Sequence, residues 1–246
     1  MDWVKKEDPR DFDFEAGEIL LIDKPPGWTS FDVVNKVRNL IKRYVGKKVK
    51  VGHSGTLDPL ATGLLVLASG KKTKTLESLT GLDKEYEGTI RLGASTPSYD
   101  LETKPGPESD LSALTEEMIR EAVAALTGEI MQVPPAYSAI KKDGKALYKS
   151  ARKGKKVEVA ARKVQVYRFD ILSIEMPDIR FRVHCGKGTY IRSLAHDLGT
   201  LLKVGAYLAS LRRTAVGSFR VEEAYRIEDM ASLLEKPNPE HRPSIS

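Results

Sequence analysis

With 246 residues, 41% of them hydrophobic, the chain can bury a sizeable core as one large domain or two small ones. A mean hydropathy of -0.34 and the lack of any apolar run near the roughly 20 residues of a membrane span argue against a membrane protein. The single cysteine, Cys185, excludes an intramolecular disulfide and a cysteine-rich metal site, while a net charge of +6 favours an anionic partner.

Residues 1 to 17 are polar and without period, and read as a loose, flexible arm. They lack the apolar segment of a secretory signal, so a cytoplasmic location is expected. Ile19-Leu20-Leu21-Ile22 predicts a buried strand, stopped by the turn Asp23-Lys24-Pro25-Pro26-Gly27. Ser30 suits an N-cap, and Val33, Val34, Val37, Leu40, Ile41 and Tyr44 follow at helical spacing. Next comes Gly52-His53-Ser54-Gly55-Thr56-Leu57-Asp58-Pro59-Leu60-Ala61-Thr62-Gly63, with one acid among three glycines and a proline. Pro59 biases Asp58 towards extended backbone, so this carboxylate belongs to a defined loop. Taken alone, the loop reads as a turn capped by its aspartate.

Leu64 to Ala68 predicts a second buried strand, Lys72 to Leu82 a helix, and the alternation around Tyr86, Gly88, Ile90 and Leu92 a half-buried strand. Thr115 opens a helix that ends near Gly128. Pro134-Pro135 breaks the next strand, and Ala136 to Lys156 is lysine-rich with Tyr137 and Tyr148 among the charges, a pattern suited to RNA. Strands over Val164–Glu175 and Ile179–Cys185 flank a turn at 176–178. Tyr190 to Lys203 predicts a helix, Ser210 to Phe219 a last strand, Ile227 to Leu234 a short helix, and 237–246 a flexible tail. This mixture without strict alternation indicates an α+β sheet. The body, residues 18–236, is expected to be a single domain with an insertion at about 134–157.

The charge is segregated. Lys36, Arg38, Lys42, Arg43, Lys47, Lys48 and Lys50 occur with no acid among them, and Lys141 to Arg168 holds 11 basic residues against 2 acids. Elsewhere 22 basic residues face 32 acidic ones, so an acidic body carries two basic strips, which suits nucleic acid. No phosphate loop or dinucleotide fingerprint is present, and the four histidines (53, 184, 196 and 241) lack metal-ligand spacing. Cys185 alternates with Phe181 and Val183, as a core residue does. Carboxylate chemistry on a nucleic acid is the simplest enzymatic reading.

The glycine-rich stretch around Asp58 resembles the signature of the TruB-type tRNA pseudouridine synthases. Five further stretches match that family in order: Asp23-Lys24-Pro25 to Asp32, Asp83-Lys84-Glu85-Tyr86, Val133 to Tyr148, Cys185 to Leu194 and Leu211-Arg212-Arg213-Thr214. The resemblance implies the pseudouridine synthase fold, a long, mixed, mostly antiparallel sheet flanked by helices around a central cleft. It also implies isomerisation of uridine 55 in the TΨC arm of tRNA, without cofactor or metal; a monomer is expected. By the same resemblance Asp58 is the essential carboxylate and Arg192 its ion-pair partner. Tyr86 lies against the flipped uracil, Tyr190 and Leu211 line its pocket, and His53 touches RNA where the base is extruded. Lys141, Lys142 and Lys145 clamp the tRNA, and Lys24 also faces RNA.

Two departures accompany the match. Only 16 residues follow Met230, too few for the PUA domain that family members commonly carry. Thr96-Pro97-Ser98-Tyr99-Asp100 replaces a commoner Thr-Asp-Thr-x-Asp pattern, which implies a local loop change. A catalytically silent tRNA-binding or folding module, and a synthase with another RNA target, stand as alternatives.

Overall fold

The computed structural model describes residues 3–4, 12–137, 141–142, 145–146 and 159–235, the two short lysine-bearing pieces as backbone only. Helices and a mostly antiparallel sheet give an α+β protein. The chain divides into two compact units, residues 1–81 with 214–246, and residues 82–213. No helix among the described residues is long and apolar enough to cross a membrane.

In the first unit, β1 (Ile19–Lys24) and β2 (Val51–His53) both pair antiparallel with β3 (Thr62–Ser69). The continuous apolar runs of β1 and β3 are buried on both faces, as the lack of alternation demands. Helix α1 (Ser30–Val45) lays Val33, Val34, Val37 and Ile41 on Leu20, Ile22, Leu65 and Leu67. Its N-cap is Thr29 and not Ser30. The Thr29 hydroxyl accepts from the Asp32 amide while the Asp32 carboxylate accepts from the Thr29 amide, a reciprocal box that leaves the Ser30 hydroxyl for another partner. The helix expected over 72–82 is divided into a 3-10 turn, Gly70–Thr75, and α2 (Leu76–Gly81).

The loose arm needs correction in its described part. Phe14 is 1% exposed and meets Tyr44 edge-on at 5.7 Å, and Val4 is buried with its amide donating to the Ile19 carbonyl. These apolar groups compensate for ordering the chain by adding to the first unit's core, a gain that mean polarity hides.

In the second unit, to which β10 (Ala206–Val216) belongs as far as Arg213, the strands run in the order β10, β4 (Lys84–Leu92), β9 (Asp178–Cys185), β8 (Arg162–Glu175) and β5 (Gly128–Gln132). The β4/β9, β8/β9 and β5/β8 pairs are antiparallel, whereas the bridge from Asp100 to Leu208 is parallel. Helices α3 (Glu116–Ala125) and α4 (Ile191–Leu201) belong to this unit, and Thr115 caps α3 as expected. The last strand starts four residues before its predicted start, at Ala206. Residues 141–142 and 145–146 form a two-rung ladder, β6 with β7. The chain closes with β11 (Phe219–Arg220) and α5 (Ile227–Leu233); the expected tail, 237–246, lies outside the described residues.

Candidate active site

Asp58 is half-buried in the loop between β2 and β3. Gly55 at φ 83° and Gly63 at φ 98° bracket it, two left-handed positions that a side chain would strain. The residues on either side of Asp58 are tied down. The Leu57 amide donates to Ser30 Oγ at 2.8 Å, and the same hydroxyl donates back to the Leu57 carbonyl at 3.1 Å. Ser30 and Leu57 are 2% and 3% exposed, so water offers neither bond a substitute. On the other side, the Pro59 carbonyl accepts from the Gly27 amide at 2.8 Å and from Lys24 Nζ at 3.2 Å.

Lys24 therefore corrects an expectation. It is wholly buried, and its ammonium also donates to the Trp28 carbonyl at 2.6 Å and the Pro25 carbonyl at 2.9 Å. A buried cation needs such acceptors, and these join the 25–28 turn to the Asp58 loop; none of this presents the ammonium to RNA. His53, half-buried on β2 opposite Leu67, lies in the same unit one residue before Ser54, whose amide donates to Val66.

Removing the Ser30 hydroxyl leaves a buried Leu57 amide without that acceptor, a cost of about 1–3 kcal/mol. Ser30→Ala is expected to lower stability by that amount, which a thermal melt checks.

The second unit builds another arrangement around Arg192, in the first turn of α4 and 3% exposed. Its guanidinium donates to the Ser98 carbonyl at 3.1 Å and the Tyr137 carbonyl at 2.9 Å, and Nε faces Asp100 Oδ2 at 3.6 Å. The altered 96–100 stretch forms a tight loop. Thr96 and Ser98 hydroxyls donate to the Asp100 carbonyl, and Tyr99 takes φ 64° and stacks on His196 with ring centres 3.9 Å apart. Tyr190, the N-cap of α4, has its amide bound by Gln132 Oε1 at 2.8 Å and its carbonyl by Gln132 Nε2 at 3.1 Å. The Arg162 guanidinium lies 5.0 Å from the Tyr190 ring centre and also donates to the Gly188 carbonyl. Tyr86 is buried on β4 opposite Val183, and Leu211 is half-buried on β10.

The structure thus joins Lys24 to the Asp58 loop in one unit, and Tyr190 and Arg192 at the start of α4 in the other. The side chains of Lys141, Lys142 and Lys145 lie outside the described residues. Ser30, Gln132, Asp100 and Arg162 hold the site residues without having been singled out as site residues by the sequence. Only Asp100 and the hydroxyl at 30 left a trace there, as a retained acid and a helix-start residue. Cys185 is 1% exposed and burial pushes its thiol up to about 12, so it carries no thiolate chemistry at neutral pH.

Burial also pushes the Asp197 carboxyl, on α4 beside His196, up to about 6. The folded state then holds its proton more tightly than the unfolded chain, so stability falls as pH rises from about 4 through 6 and stays lower above. Asp197→Asn is expected to stabilise the protein by about 1 kcal/mol at pH 8, discounted for partial exposure, and by nothing at pH 4. Thermal melts across that range test the sign.

The model of the TruB family pseudouridylate synthase N-terminal domain matches residues 42–191, and that of the tRNA pseudouridylate synthase B C-terminal domain matches 192–242. The chain belongs to the TruB family of pseudouridylate synthases. A TruB-family relative from Chlorobaculum tepidum, named tRNA pseudouridine synthase B, is 52% identical over 87% of this chain and 89% of its own length. One from Chloroherpeton thalassium with the same name is 50% identical over 94% and 95%. Among solved structures, a Cbf5-Nop10-Gar1 complex contains a chain 33% identical, with a TM-score of 0.67 over 89% of this chain and 54% of that one. The TruB-family chain thus spans about half the length of that solved relative.

Proposed function

We propose that this protein isomerises uridine to pseudouridine in tRNA, at position 55 of the TΨC arm. The observation that carries the reading is the near-full-length identity to relatives named tRNA pseudouridine synthase B, together with an Asp58 loop fixed on both sides of its acid. In this reaction the N1–C1′ bond breaks, the uracil turns, C5 bonds to C1′, and the C5 proton departs while N1 gains one. Reactant and product have the same composition and oxidation state, so no co-substrate enters the balance.

Asp58 is the essential carboxylate, acting on the sugar or the base, for which it must be ionised and held still. Arg192 is the catalytic cation. Tyr86 and Tyr190 offer aromatic faces to the extruded uracil, offsetting part of an unstacking cost of a few kcal/mol, and Leu211 supplies an apolar wall. His53 meets RNA where the base leaves its stack, and Lys141, Lys142 and Lys145 neutralise phosphates. The enzyme works as a monomer in the cytoplasm, where tRNA is matured.

Tritium release from tRNA transcripts labelled at uridine C5 tests the proposal, because forming the new C–C bond ejects that hydrogen. Release of one equivalent, lost when uridine 55 is replaced by cytidine, is expected. Full retention of label would overturn it, and release independent of position 55 would overturn the assigned target.

A further inference from the structure

We propose that the stripe Phe31, Asn35, Arg38 and Lys42 on α1, exposed at Phe31 and Lys42 and half-buried between them, is a docking rail for an unpaired stretch of tRNA, with a base stacked on Phe31 and the backbone tracked by Arg38 and Lys42. The inference rests on the tRNA reading above and adds a surface to it.

At 100° per residue these four positions fall within about 60° of one another, and they extend about 16 Å along the helix. They lie away from the face that Val33, Val37, Leu40 and Ile41 bury. Phe31 is 62% exposed, although it follows a residue that is 2% exposed. Exposed apolar side chains occur singly on most proteins, so exposure by itself identifies nothing. What distinguishes Phe31 is its surroundings. The Arg38 guanidinium lies 6.0 Å from its ring centre, and Arg38 Nη1 donates to Asn35 Oδ1 at 3.0 Å, which aims the cation along the rail. Beyond it Asn39, Lys42, Arg43 and Gly46 line an open groove at the C-terminal end of α1.

The rail leads towards the carboxylate. Phe31 follows Ser30 and Asp58 follows Leu57, and Ser30 and Leu57 are hydrogen-bonded to one another. Phe31 and Asp58 are therefore each about 4 Å of chain from that contact. Leu60, two residues past Asp58, is a further 47% exposed apolar side chain on the same loop.

Charge complementarity selects the occupant. Seven cations occur between Lys36 and Lys50 without one acid, which suits a polyanion. A duplex keeps its base faces stacked inside, so an exposed aromatic beside a fixed guanidinium fits an unpaired nucleotide, whose base and phosphate are both accessible.

Anisotropy titrations of the whole protein with unmodified tRNA over a salt series test this. Phe31→Ala is expected to weaken binding about tenfold, with an unchanged melting temperature, and Phe31→Trp to restore it. Arg38→Gln is expected to weaken binding and flatten the slope of log affinity against log salt by about one. A single-stranded oligonucleotide should compete with tRNA better than a duplex of equal length, and Phe31→Ala should abolish that preference. Wild-type affinity and salt slope in both variants, or a Phe31→Ala defect equal for single strand and duplex, would overturn the rail. The readout needs no turnover. Phe31-dependent binding without tritium release would sink the proposed reaction and leave the rail standing, whereas tritium release with wild-type binding by Phe31→Ala would do the reverse.

Discussion

Asp58→Asn is expected to reduce tritium release at least about a thousandfold while tRNA affinity changes less than threefold. The asparagine matches the carboxylate in shape, so the contacts that fix Leu57 and Pro59 persist: the Ser30 hydroxyl on one and Lys24 Nζ with the Gly27 amide on the other. What is lost is the charge and the basic, nucleophilic oxygen. Single-turnover assays with enzyme in excess separate this from binding, and a thermal melt within two degrees of wild type excludes a folding defect. Turnover within tenfold of wild type would remove Asp58 from the chemistry. The same assay sharpens the roles of its neighbours. Lys24→Met should lower both stability and turnover, because three carbonyls then lose a buried donor, whereas Asp58→Asn should lower turnover alone.

The sequence made the local features legible because local rules govern them. The apolar stripe of α1, the strands around 176–178 and the Thr115 cap depend on residues a few positions apart, and each appears close to where it was expected. The Asp58 loop was legible as a turn because Pro59 restricts the residue before it, while Gly55 and Gly63 admit left-handed backbone that other residues resist. Its supports were not. Ser30 reaches Leu57 across 27 residues, and Lys24 reaches Pro59 across 35. A serine at a helix start reads as a cap, and a lysine in a turn reads as solvated; only the folded chain shows the hydroxyl spent on a loop and the ammonium enclosed. The partners of Arg192 come from 94 and 55 residues away, as backbone carbonyls that every residue type carries. No side-chain pattern announces such acceptors. The described part of the arm departs from its expectation for a related reason, since two apolar residues among many polar ones, Val4 and Phe14, are buried.

Those carbonyl partners make Arg192 the second large effect. Arg192→Lys is expected to lower turnover at least about a hundredfold and to destabilise the protein, because a compact ammonium cannot serve Ser98, Tyr137 and Asp100 from one position as a planar guanidinium does. Arg192→Leu goes further, leaving the Asp100 carboxylate, 5% exposed, without this cation at a cost of about 3–5 kcal/mol. Adding Asp100→Asn separates the two roles. A neutral amide in place of the buried charge should return much of the stability lost in Arg192→Leu, measured by denaturant titration, but none of the turnover. If the double variant regains turnover along with stability, Arg192 serves only to neutralise Asp100 and its catalytic assignment fails. If stability returns and tritium release does not, the guanidinium is required by the reaction itself, and the loop over 96–100 serves to hold it in place.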